Sequence, residues 1–140
     1  MTADPLAEAA IREVVELHDF FGDWLRPDGR PAFGIDRLEA ALDRGFRLIT
    51  PDGRILERGA VIAWIATARG SRAVDFRIAV SDFHAVWRSD EAVLLEYVET
   101  QYGQGKTTRR QSTALMGREP AAPLGVAWVH LQETWLQNAD

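Results

Sequence analysis

The spacing of apolar residues changes once along this chain, from a helical period to a strand period, and that change divides the sequence. Leu6, Ala10, Val14, Leu17, Phe21 and Trp24 recur at steps of 4, 4, 3, 4 and 3, one stripe of an amphipathic helix. Asp4-Pro5 supplies its start, a carboxylate at the N-cap and a proline at the first helical position. Arg26-Pro27-Asp28-Gly29 supplies its stop. Glu8, Arg12, Glu13, Glu16 and Asp23 are expected mainly off the stripe. A shorter helix is expected from about Ile35 to Arg44, with Gly45 as its left-handed C-terminal residue. FRLIT, the turn Pro51-Asp52-Gly53 and RILER read as a hairpin, and Gly59 to Ala68 as a third, almost wholly apolar helix.

From Phe76 the period is 2. FRIAVSDFHAVWR, a turn at Ser89-Asp90-Glu91 and AVLLEYVETQYG give two long strands. A second turn at Gly103-Gln104-Gly105-Lys106 leads into two closing runs, TTRRQSTALMGREP and VAWVHLQETW. Helices first and long antiparallel strands last is the order of an α+β fold. Without repeat, low-complexity stretch or linker, residues 1–140 are expected to form one domain.

Composition mainly excludes. No cysteine is present, so disulfides, thiolate metal sites and thiol nucleophiles are ruled out. The net charge of −5 speaks against binding a phosphate backbone, hence against a nucleic-acid partner. No apolar run approaches a membrane span, and MTADPLAEAA has no basic leader-like region, so a cytoplasmic protein is expected. No His-x-His or His-Glu-x-x-His spacing appears, and neither metal nor cofactor is expected.

The groups capable of chemistry gather in the last third of the sequence. His130 and His84 are the candidate general bases, because imidazole titrates near neutral pH. The competing reading puts them on the outer sheet face or in a satisfied core. His18 is expected at the surface or a pocket mouth. Glu99, Arg110 and Glu133 fall on three successive strands as a carboxylate–guanidinium cluster, fit for a structural clamp or for a carboxylate ligand. Ser112 lacks the Gly-x-Ser-x-Gly context of a hydrolase nucleophile. Trp24, Tyr97, Glu99, Arg110, Ser112 and Trp128 are the expected ligand-lining set, with the five tryptophans clustered where the fold closes.

Helix, helix, hairpin, helix and four strands, with the phrases FRLITPDGRILERGAVIAWI, YVETQ, RQSTAL and WVHLQETW, resembles the SnoaL-like, nuclear transport factor 2-like superfamily over essentially the whole chain. The resemblance implies a cystatin-like cone: a strongly curved, mainly antiparallel sheet wrapped around the first helix, with a pocket inside. It also implies a homodimer through the outer sheet face. It fixes no single activity, since the superfamily includes isomerases, cyclases, dehydratases and non-catalytic domains. The ketosteroid-isomerase mechanism does not carry over, because the first helix has no tyrosine.

Three functions follow as expectations. The first is a homodimeric domain binding a small, largely apolar ligand. The second is a proton-transfer enzyme on a hydrophobic substrate, with Tyr97 or Arg110 stabilising developing charge. The third is a non-catalytic dimerisation module whose interior is filled by its own tryptophans. Strict alternation also predicts that the outer sheet face exposes one of two apolar sets. One is Phe83, Trp87, Val129, Leu131 and Trp135; the other is Ile78, Val80, Val86, Val126 and Trp128.

Overall fold

Asp4 opens the first helix as its type suggests: its side chain accepts from the Ala7 amide at 3.1 Å, with Pro5 at the first turn. The computed structural model describes residues 4–137. In chain order it contains α1 (Pro5–Leu25), α2 (Asp36–Ala41), β1 (Leu42–Ile49), β2 (Ile55–Glu57) and α3 (Arg58–Thr67). Four long strands follow: β3 (Arg77–Arg88), β4 (Ala92–Gly103), β5 (Lys106–Arg118) and β6 (Val126–Trp135). They form one six-stranded sheet in the order β2-β1-β6-β5-β4-β3, parallel between β1 and β6 and antiparallel elsewhere. This is the expected α+β architecture. Among the described residues no helix is long and apolar enough to cross a membrane.

The predicted turns at Pro51-Asp52-Gly53, Ser89-Asp90-Glu91 and Gly103–Lys106 all join antiparallel strands. Gly53 takes a φ of 86°, and Gln104-Gly105 take φ of 52° and 72°, the two positive values that a twisted two-residue hairpin requires. The second helix is shorter than its pattern suggested. It ends at Ala41 because Leu42 turns extended and pairs with Trp128 of β6, which buries the same leucine side chain in a strand. A six-residue helix has little of its own to oppose that pairing. Gly45 therefore lies inside β1 without a left-handed backbone.

Three β-bulges decide which side chains face inward: two in β3, the second between Ala85 and Trp87 turning Trp87 outward, and one in β6. In β3 the register shifts between Ser81 and His84, around Asp82 at φ 57°. Ile78 and Val80 before the bulge, and Phe83 and Ala85 after it, all pack on the helical side. In β6 Met116 pairs with Trp128 but Leu115 with His130, leaving Val129 as the extra residue. Trp128 and Leu131 consequently share the inner face. Neither apolar set expected outside is there as a set, because strict alternation fails at both strands. The outer face instead carries one apolar rung, Trp87–Leu94–Leu115, next to the polar rung His84–Glu96–Thr113–Gln132.

Glu13 is the other correction. Expected off the apolar stripe, it is fully buried, because it lies three residues beyond Ala10 on the inward side. Arg37 of α2 meets it through Nη2 at 2.7 Å and Nη1 at 3.2 Å, and the Trp128 indole donates to it at 3.0 Å. Burial first raises the Glu13 carboxyl above its ordinary pKa, and Arg37 and Trp128 work against that rise. Truncating one partner of a buried pair strands the other charge, so Arg37→Ala should destabilise the fold by about 3–5 kcal/mol in urea unfolding. Glu13→Gln with Arg37→Met should recover most of that loss. If the double variant is no better than Arg37→Ala, the penalty does not come from a stranded charge.

Candidate functional site

Between α1, α3 and the concave sheet lies a cavity of about 150 Å3, its walls built by Leu17, Phe21, Leu38, Leu48, Val61, Ile65, Trp128 and Leu131. Its exposed rim includes Trp64, Ser71 and Arg72. Apart from Ser71 and Arg72 at that rim, the polar side chains lining it form one group: His18, Glu99, Gln101, Arg110 and Glu133. The register explains their convergence. Tyr97, Ser112 and Glu133 form one rung across β4, β5 and β6, and Glu99, Arg110 and Trp135 form the next. His18 is laid over both from α1.

His18 is 4% exposed and both its ring nitrogens face acceptors. Nδ1 donates to the Val14 carbonyl at 2.7 Å, and Nε2 lies 3.0 Å from Glu99 Oε1. A ring flanked by two acceptors is best satisfied as imidazolium. Burial pulls its pKa down, but the Glu99 charge and hydrogen bond outweigh burial and hold it above the ordinary histidine value. For Glu99 burial acts upward, yet His18 and then Arg110 bring the carboxyl down to about 2. Its second oxygen accepts from Gln101 Nε2 at 2.6 Å. Both oxygens of Glu99 are thus occupied.

Arg110 stacks on the Trp135 ring at 4.7 Å, which fixes the plane of its guanidinium. Its Nη1 reaches Glu133 Oε1 at 3.5 Å; its Nε is 3.9 Å from Glu99 Oε2 and makes no hydrogen bond. Glu133 is the anomalous group. Burial first, then the negative charge of Glu99, pushes its carboxyl up to about 7 against the pull of Arg110. The hydroxyls of Tyr97 and Ser112, on directly paired residues, are buried beside each other with no well-formed hydrogen bond among the described residues, and burial raises the phenol well above its usual value.

Of the residues singled out from the sequence, Glu99, Arg110 and Trp128 line the cavity, and Glu133 with them, whereas Tyr97 and Ser112 lie fully buried on the adjoining rung and are not among its lining residues. Trp24 does not line it either: its indole donates to the Ile65 carbonyl at 2.8 Å and braces α1 against α3. His84 and His130 do not line the cavity. His84 is exposed opposite Glu96, and His130 sits between Leu115 and Arg47 on the other side of the sheet. The tryptophans do not cluster either, since Trp87 is 55% exposed on the outer face and Trp135 bonds Asp52 across a rim. His18 was readable as an inward residue, one helical step of four from Val14, and Gln101 as the inward neighbour of Glu99 on β4.

No protein-family model and no curated protein matches the chain. Solved structures do. A nuclear transport factor 2-like protein of unknown function from Pseudomonas aeruginosa is similar at 29% identity and a TM-score of 0.82, over 92% of this chain and 99% of that one. The CaMKII hub of S. rosetta is similar at 17% identity and a TM-score of 0.75, over 97% and 100%. A protein with a cystatin-like fold from Caulobacter vibrioides is similar at 9% identity and a TM-score of 0.71, over 96% and 92%.

A carboxyl raised by burial stabilises the fold most when protonated, and that contribution is lost as pH rises from the unfolded carboxyl range through about 7. Glu133→Gln should therefore be neutral near pH 4 and stabilising by about 2–3 kcal/mol at pH 8, read from urea midpoints at both values. Equal effects at the two pH values would show that Glu133 ionises as freely in the folded chain as in the unfolded one.

Proposed function

We propose that this chain, which has the nuclear transport factor 2-like fold, is a single domain that binds a small, largely apolar molecule inside its cone. The cavity supports this reading. Its walls are apolar, its polar groups inside the rim are gathered together, and its volume of about 150 Å3 matches engineered apolar cavities that admit benzene. A non-catalytic module needs no such hollow, and the chain's own tryptophans leave it open. One observation favours a proton-transfer enzyme as the second reading: Glu133, with a pKa near neutrality, borders the cavity and replaces His84 and His130 as the acid–base group. Glu133→Gln separates the two readings, since binding survives it and turnover does not.

Single-ring apolar compounds at about 100 times their Kd should raise the melting temperature by about 5–10 °C. Val61→Trp, which puts a large ring into the cavity, should abolish that shift while the circular dichroism spectrum persists. A library without any hit would remove the binding reading.

The assembly we propose is a two-fold dimer through the outer sheet face, centred on Trp87, Leu94 and Leu115. Exposed Trp87 and Val86 beside half-buried Leu94 and Leu115 make an apolar strip that a second copy would cover. Light scattering should give twice the 15.7 kDa chain mass, and Trp87→Glu should return it to the monomer value. A wild-type monomer at micromolar concentration would sink this assembly.

A further inference from the structure

Arg110 is held in the site without being used up by it. Glu99, its partner across the strand pair, stays 3.9 Å away and already has one oxygen on His18 and the other on Gln101. Of the five N–H groups of the Arg110 guanidinium, one reaches an acceptor among the described residues, at the long distance of 3.5 Å. The Nε is buried and unpartnered. Trp135 stacks against the guanidinium and keeps its donor edge in a fixed plane. His18 and Glu99 cancel each other's charge. What remains is one permanent positive charge facing Glu133, a carboxyl that can give up its own charge by taking a proton.

Resting on the cavity-binding reading, we propose that the ligand is a small carboxylic acid with an apolar body, that Arg110 binds its carboxylate, and that Glu133 takes up a proton as it binds. The chemistry is complementary on each count. A planar guanidinium with unused N–H groups suits the two oxygens of a carboxylate. The hydroxyls of Tyr97 and Ser112 on the adjoining rung can donate or accept, so the unused donors that call for an anion are those of Arg110. A second anion beside Glu133 would be repelled by an ionised carboxylate and tolerated by a protonated one. The pKa of Glu133, about 7 without ligand, makes that proton available near neutrality. An amine would be drawn to Glu133 but would have to sit against the Arg110 charge.

Four single-ring probes of similar size distinguish the possibilities: benzoate, benzamide, toluene and benzylamine, titrated into the full chain by calorimetry. Benzoate should bind at least tenfold more tightly than the other three at pH 6.5. Its affinity should fall about tenfold per pH unit above about 7.5 and level off below pH 6, because the free site must first be protonated. Titrations at pH 8 in two buffers of different ionisation heat should show uptake approaching one proton. Arg110→Gln should remove the preference for benzoate, and Glu133→Gln should make benzoate binding independent of pH. Should Arg110→Gln fail to fold, the wild-type pH profile and proton count decide alone. Toluene, benzamide or benzylamine binding as well as benzoate would overturn the carboxylate assignment and leave the cavity reading standing. Benzoate preference without proton uptake would overturn the role of Glu133. Failure of all four probes to bind would overturn the assignment together with the cavity reading.

Discussion

A cationic imidazole facing a carboxylate, both withdrawn from water, is the interaction on which the rest of this structure depends. His18 and Glu99 join α1 to the middle of β4. Apolar packing alone would press the helix onto the sheet without fixing its rotation, because burial of hydrocarbon has no direction. A hydrogen-bonded pair does have direction, and in a low-dielectric interior each partner is costly to leave alone. Glu13, five residues earlier on the same helix, adds a second fixed point through Arg37 and the Trp128 indole. Two polar anchors about 7.5 Å apart along the axis set both the rotation and the depth of α1. The helix is therefore seated by charges, while its leucine and phenylalanine side chains become the cavity wall.

The same pair orders the electrostatics around it. By occupying Glu99, His18 weakens that carboxylate's hold on Arg110, whose Nε stays 3.9 Å away, and leaves the guanidinium to meet Glu133 at 3.5 Å. Glu99 is held ionised, and its charge is one reason the Glu133 carboxyl is raised to about 7. Two glutamates on adjacent rungs of one sheet are thus driven to opposite ends of their range by what each faces. This separation follows from strand register, since shifting β5 by one residue against β4 would turn Arg110 to the outer face.

Much of the fold was legible because its signals are local. The α1 stripe, its Asp4-Pro5 start and the three predicted turns depend on residues a few positions apart, and the structure forms them where the pattern put them. The bulges were not legible. Nothing in SDFHAV marks Asp82 as left-handed, and nothing in AWVHLQ marks Val129 as the extra residue; both follow from pairing with distant strands. Each bulge reverses the alternation beyond it, so an unbroken parity rule assigns Phe83 and Ala85 in the middle of β3, and one end of β6, to the wrong face. Polar residues on α1 misled for a related reason. Charge suggests the surface, but Glu13 and His18 find partners on α2, β4 and β6 that no sequence window contains.

The arrangement also differs from what stability alone would select. Well-packed apolar side chains in place of a buried ion pair are often neutral or stabilising, and filling a cavity restores lost contacts. Here an open cavity, a raised carboxyl, an under-used guanidinium and hydroxyls without well-formed hydrogen bonds lie within two adjacent rungs of one sheet. Each is unfavourable for the empty chain, and scattered through the interior each would be an isolated defect. Gathered beside an apolar hollow, they can be relieved together by one molecule, apolar at one end and rich in acceptors at the other. Concentrating unfavourable groups where a single partner can satisfy them is what separates a binding site from imperfect packing.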